Sequence, residues 1–224
     1  MKRFLIIFLA FGLCMTVVII SCGKDEKSKQ DAEREKFAKK LQDGEYADVS
    51  ILQKAAEKEI ESFSFSLKKA LSEAMRTGGP VNAINVCSEL APEIAMSRMT
   101  EGWTISRVTA KSRNRNNQAG AMQLDLLDQF FSPDQEPKFI GEWLNISGKK
   151  QYNYYKPIYM QEVCLNCHGT KASIKPEVAE KIKELYPEDA ATGYRVDDLR
   201  GMFVVEIAWP EGRARAEALV SDSM

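Results

Sequence analysis

Cys164-Leu165-Asn166-Cys167-His168-Gly169 contains the chain's one Cys-x-x-Cys pair, and His168 is its one histidine. In that order two thiols can add across the vinyl groups of a haem, and the adjacent imidazole can ligate the iron from one side. The stretch therefore implies a covalent c-type haem, one per chain, held by Cys164 and Cys167 with His168 as an axial ligand. The rest of the chain is the frame that would bind, tune and expose such a group.

Two rival chemistries fit less well. A zinc site could nominally use Cys87, Cys164, Cys167 and His168, but zinc ligands are usually spaced by two or more residues, and adjacent Cys167 and His168 close a tetrahedron awkwardly. The alternative function is an exported thiol-disulfide oxidoreductase using the Cys-x-x-Cys pair. Such a pair normally opens a helix in a βαβ frame, whereas here a hairpin precedes it and Gly169-Thr170 follow.

That hairpin is expected over 138–146 and 151–160, turning through Ser147-Gly148-Lys149-Lys150. Pro157 should confine the second strand to an edge or end its regular pairing. Further strands are read at 103–111, rich in β-branched and aromatic residues, and at 202–209. Ahead of them Val49, Leu52, Ala56, Ile60, Phe63, Leu67, Leu71 and Met75 recur at steps of three and four, marking a long amphipathic helix capped by Asp48. Gly78-Gly79 stop it and Pro80 starts a second helix, with Ile84, Cys87 and Leu90 or Ala91 on one face. Pro92 should end or kink that helix, because its ring would meet the Ser88 carbonyl. Met122, Leu124, Leu127 and Phe131 suggest a short helix closed by Ser132-Pro133, and 176–185 another, stopped by Pro187. A charged helix from Glu211 ends the chain. The implied class is α+β: an antiparallel sheet wrapped by helices, with a long N-terminal helix.

The chain has 224 residues, 44% hydrophobic and 28% charged, which suits one domain with a real core. A net charge of −1 gives no case for nucleic acid binding. Residues 1–22 read as a lipoprotein signal peptide: Lys2-Arg3, an apolar run, then Ile19-Ile20-Ser21-Cys22, which resembles a bacterial lipobox. Cleavage before Cys22 would leave several acyl chains there, enough for stable anchoring. The competing reading, an uncleaved span, meets a run interrupted by Gly12 and Thr16 and short of about 20 residues. Both place the body outside the cytoplasm, on the periplasmic or cell-surface side. Residues 23–46 form a charged tether and 47–224 the domain. Only Cys87, Cys164 and Cys167 then remain as thiols of the domain.

One histidine excludes bis-His ligation from within the chain. The second iron ligand is left among Cys87, a methionine (Met96, Met99, Met122, Met160 or Met202), a lysine, an exogenous molecule or nothing. Methionine would raise the potential and thiolate lower it. Arg107, Lys111, Arg113 and Arg115 cluster in sequence, and arginine's fork suits carboxylates, so Arg107, Lys111 and Arg113 are candidates for haem propionates. Tyr194 and Arg195 are lesser candidates, and Tyr152, Tyr154, Tyr155 and Tyr159 could line a pocket.

Several segments together resemble a bacterial family of c-type haem domains with a PAS-like fold, long catalogued as a domain of unknown function. They are Val86-Cys87-Ser88 with Ala91-Pro92, Trp103, Arg107, Arg113-Asn114 with Asn117, and Pro157-Ile158. They continue with Cys164 to Gly169, Tyr186-Pro187-Glu188-Asp189-Ala190-Ala191-Thr192-Gly193-Tyr194, and Arg200-Gly201. The resemblance spans about 48–209; Arg115 stands where proline is usual, and Asp197 where glycine is common. It implies His168 and Cys87 as the axial ligands. It also implies a redox or small-gas sensor, taking CO or NO, or a low-potential electron carrier. The expected protein is not an enzyme, and its output is expected to pass through a redox or signalling partner. Haem staining after denaturing electrophoresis separates the two function classes: a stained band is expected, and an unstained one would point to the dithiol enzyme.

Overall fold

The apolar stripe that begins at Val49 folds as helix α1, Val49–Asn85. The computed structural model describes residues 49–131 and 137–221; the signal segment, Cys22, the tether, Asp48 and Ser132-Pro133 lie outside them. Leu52, Ala56, Ile60 and Phe63 are buried in the core, whereas Leu67, Leu71 and Met75 line a cavity. At Gly79 the backbone turns to φ 68°, ψ −166°, a conformation costly for any residue with a Cβ, and Pro80 begins the second half of the helix.

The end expected at Pro92 comes a few residues earlier: α1 closes at Asn85 and a new helix begins at Ala91. The chain passes through a π-turn, Val86–Leu90, into α2, Ala91–Met96, with Pro92 in its first turn. The Ala91 amide bonds the Val86 carbonyl, five residues back. The wider turn relieves the clash that a regular α-turn would force between the Pro92 ring and the Ser88 carbonyl.

Four antiparallel strands follow: β1 Trp103–Val108, β2 Ile140–Ile146, β3 Lys149–Tyr159 and β4 Leu199–Trp209, in the order β1-β4-β3-β2. The hairpin is tighter than expected. Ser147 and Gly148 both have positive φ, so β3 begins at Lys149 through a two-residue turn matched to strand twist. Pro157 lies on an inner strand, but β2 pairs with β3 only as far as Ile140 and Tyr155, so the proline falls where one side is already an edge.

Register sets the two faces. Trp103, Ile207 and Tyr152 share one face, as do Arg107, Phe203 and Lys156. This face carries α1: Phe63 meets Phe203 edge-on at 5.7 Å, and the Tyr154 hydroxyl donates to Glu57 at 2.6 Å. The other face packs Val108, Met202, Val204 and Tyr155 against α3, Ala121–Phe130. The helix suggested by Met122, Leu124, Leu127 and Phe131 is present; its buried residues are Leu126, Leu127 and Phe130, while Met122, Leu124 and Phe131 are exposed. After β3 come a 3₁₀ turn, Glu162–Cys164, the four-residue α4, Leu165–His168, and α5, Pro176–Leu185. Val178 and Ile182 of α5 join Ile84, Ile174 and Tyr186 in a second apolar cluster, against which Cys167 packs. Helix α6, Arg213–Ser221, closes the described residues. The architecture is α+β, an antiparallel sheet with a long N-terminal helix. No helix among the described residues is long and apolar enough to cross a membrane.

Glu59 of α1 is 1% exposed and is paired with Arg98 at 3.1 Å and Arg215 at 2.6 Å, joining α1 to the end of α2 and to α6. Removing one partner of a buried ion pair leaves the other charges uncompensated. Glu59→Ala is expected to lower the unfolding free energy by about 3 kcal/mol in urea denaturation.

Candidate functional site

Strand β3 carries the chain straight to the Cys-x-x-Cys-His turn. At its end Met160 is bonded in both directions to the 197–198 turn: its amide donates to the Asp198 carbonyl at 2.9 Å, and the Asp197 amide donates to its own carbonyl at 3.0 Å. Asp197 adopts φ 67°, a left-handed conformation that explains why glycine suits that position. A cavity of about 250 Å³ opens between the motif, α1 and the sheet end at Arg107 and Gly201. Cys164, Cys167 and His168 line it, and so does Cys87. The remaining wall is largely apolar, with Leu67, Leu71, Met75, Ile84 and Ile158.

The His168 ring is held from behind. Its Nδ1 lies 2.7 Å from the Ala191 carbonyl. A carbonyl only accepts, so Nδ1 carries the proton and donates, and Nε2 keeps its lone pair. Burial, helped by the nearby Arg113 and Arg200 cations, pushes the His168 pKa down to about 3. The ring is therefore neutral at ordinary pH, the form that ligates a metal. The 189–194 segment straps the motif along its backbone: Gly193 N–H donates to the Gly169 carbonyl at 2.8 Å and Tyr194 N–H to the His168 carbonyl at 3.0 Å.

Cys87 sits in the π-turn with its side chain open to the cavity but set deep among protein atoms. Burial pushes its thiol pKa up, while Arg107, Arg113 and Arg200 pull the other way. Burial likewise pushes up the Cys167 thiol, opposed by Arg113.

The basic residues divide. Arg107 lines the cavity, crosses the Phe63 ring at 5.3 Å, and has no ion pair or hydrogen bond among the described residues. Arg113 also lines it, but its fork is engaged: it bonds Asp189 at 3.1 and 3.3 Å and donates to the carbonyls of Cys167 at 2.6 Å and Ala191 at 3.3 Å. Lys111 is not among the lining residues; its ammonium donates to the Thr192 carbonyl at 2.6 Å and lies over the Tyr194 ring. Arg200, quoted in the sequence only as part of a resemblance, lines the cavity and donates to Thr109 Oγ1 at 2.7 Å. Its place near the start of β4 follows from strand pairing, which no local pattern signalled. Tyr186 also lines the cavity, and burial pushes its hydroxyl pKa up. Among the tyrosines of β3 only Tyr159 reaches the cavity; Tyr152, Tyr154 and Tyr155 are buried in the sheet. Among the methionines weighed as ligands Met160 lines it, Met202 is buried on the opposite face, and Met96, Met99 and Met122 are exposed. Tyr194 packs edge-on to His168, and Arg195 does not line the cavity.

This donor set suits one kind of group. A neutral imidazole and three thiols share a largely apolar cavity, and the Arg107 guanidinium on its wall has no ion-pair partner among the described residues. A flat apolar cofactor with acidic edges and a central metal satisfies all of them, and haem is such a group. Zinc is not served: among the described residues no three His, Cys, Asp or Glu side chains converge to hold a metal ion.

The model of the Tll0287-like family (Tll0287) matches residues 27–208. The chain is also similar to a solved structure described as the crystal structure of the cyanobacterial heme-protein Tll0287. That similarity has a TM-score of 0.54 and 29% identity, covering 74% of this chain and 99% of that one. No curated protein matches.

Gly201 forms part of the cavity floor, where a Cβ would collide with the Val108 carbonyl and lie 3.1 Å from Thr109 Cβ. Because backbone must yield, Gly201→Ala is expected to destabilise the protein by about 1–3 kcal/mol, measured by thermal or urea unfolding.

Proposed function

Because the chain belongs to the Tll0287-like family, we propose that it is a monohaem c-type protein: Cys164 and Cys167 carry the haem, and His168 and Cys87 ligate its iron. Its role is redox or small-gas sensing, or low-potential electron transfer, outside the cytoplasm and anchored through a lipidated Cys22. The observation that carries this reading is the single cavity lined by all four of these thiol and imidazole side chains. Bound haem would supply one-electron chemistry and, at its iron, a place for CO or NO.

The chain's own residues supply the rest. His168 offers an Nε2 lone pair already fixed in tautomer by Ala191. Burial raises the Cys87 thiol pKa and Arg107, Arg113 and Arg200 oppose that rise; a thiolate bound to iron would, as an anionic ligand, favour the oxidised, more positive iron and a low potential. Arg107 presents an unpartnered fork suited to a propionate, while Leu67, Leu71 and Ile84 exclude water. The dithiol alternative draws little support from the geometry, because the motif opens a helix of only four residues, too short to lower a thiol pKa by its N-terminus.

The ligand assignment is tested by Cys87→Ala made with haem-maturation machinery. Haem should remain attached through Cys164 and Cys167, and the low-spin ferric spectrum should change. An unchanged spectrum would remove Cys87 from the iron.

A further inference from the structure

We propose that Arg113, aimed by Asp189, is a positioning residue that sets the donor strength of His168 by sharing the carbonyl of Ala191. The inference rests on the haem reading only for its redox consequence; the hydrogen-bond claim stands on the chain itself.

The Ala191 carbonyl has two lone pairs and two donors. His168 Nδ1–H takes one at 2.7 Å and Arg113 Nη2 the other at 3.3 Å. A carbonyl already polarised by a cation is a weaker acceptor, so the imidazole N–H is held in position without being drawn far toward imidazolate. The cation cannot drift, because Nη2 also donates to the Cys167 carbonyl at 2.6 Å and Asp189 takes the fork at 3.1 and 3.3 Å. Asp189 fixes the target as well: its Oδ1 accepts the Ala191 N–H at 2.9 Å. One carboxylate therefore holds both the carbonyl-bearing residue and the guanidinium directed at that carbonyl. Both side chains are 9% exposed, so salt screens the pair weakly.

Greater imidazolate character in an axial histidine favours ferric over ferrous iron. Arg113 thus biases His168 toward the weaker donor and the iron toward the reduced state. The sequence offered Arg113 as a propionate candidate; it lines the cavity, and its fork is engaged by Asp189 and the carbonyls of Cys167 and Ala191.

Two mechanisms compete with this one. Arg113 could act only as a positive charge near the cavity, or only as a clip on the loop. Arg113→Lys separates them, since lysine keeps the charge but cannot serve a carboxylate and two carbonyls from one planar fork. Asp189→Asn is the second variant: bare charge predicts a higher potential when an anion is removed, whereas loss of aim predicts a lower one.

The first measurement needs no haem. In the haem-free full-length chain, the His168 Nδ1–H proton resonance should move downfield in Arg113→Lys and in Asp189→Asn, as its bond to Ala191 strengthens. An unmoved resonance in both overturns the proposal. In the haem-loaded protein, both variants should lower the midpoint potential, by about tenfold in the reduction equilibrium, or about 59 mV for one electron. A variant that unfolds more easily at unchanged potential has lost a clip only, and overturns the redox tuning. A rise in Asp189→Asn with no change in Arg113→Lys assigns the effect to charge and overturns it too. If the resonance moves but wild-type protein takes up no haem, the haem reading fails and the hydrogen-bond claim survives.

Discussion

The His168 ring lies 2.7 Å from the Ala191 carbonyl, and that contact dictates how the motif can be used. With the proton held on Nδ1, only Nε2 can face a metal, and burial keeps the ring neutral so that no proton competes for it. The contact needs the 189–194 strap. The strap is in turn pinned to the motif by backbone bonds at His168 and Gly169 and to the 109–118 region by the bond from Ala190 N–H to the Ser112 carbonyl. Arg113 reaches from that region back to Cys167, Asp189 and Ala191. Three segments far apart in sequence therefore set the orientation of one imidazole.

The sheet and α1 serve this arrangement through a shared face. Burial against protein and exposure to an apolar ligand select the same side chains, so one helical stripe continues from the core at Phe63 into the cavity wall at Leu67 and Met75. Strand register then decides what the cavity floor contains. Arg107 pairs with Phe203, and Gly201 pairs with Ile158, so a cation and a gap sit side by side on the face turned to α1.

This explains what the sequence could and could not disclose. The Cys-x-x-Cys-His spacing is contiguous, so Cys164, Cys167 and His168, which share the cavity wall, were legible at once. Periodicity gave α1, which buries one stripe, and β-branched and aromatic runs bounded by turn residues gave the four strands, of which β3 and β4 bury both faces. Periodicity gave α3 as a helix but not its buried face, since apolar residues at 122, 124, 126, 127, 130 and 131 fall on several sides and only the strand residues opposite select Leu126, Leu127 and Phe130. The target of Arg113 was illegible for another reason. Its partners are two backbone carbonyls and a carboxylate at 189, and nothing near position 113 encodes them. Arg200 was hidden likewise, since its place on the wall follows from pairing rather than from local pattern.

The π-turn at Val86–Leu90 was the least predictable feature and bears directly on Cys87. Proline lacks an N–H, so Pro92 could not have bonded Ser88 in a regular turn, and a simple reading ends the helix there. Instead the hydrogen-bond ladder skips a residue, with Ala91 reaching Val86, and the helical face carries on: Ala83, Ile84 and Cys87 all line the cavity and Ala91 is buried beyond them. Ser88 is not left idle, since its hydroxyl donates to the Asn85 carbonyl at 3.1 Å. A turn widened by one residue at a proline thus joins two helices while keeping the thiol on the cavity face.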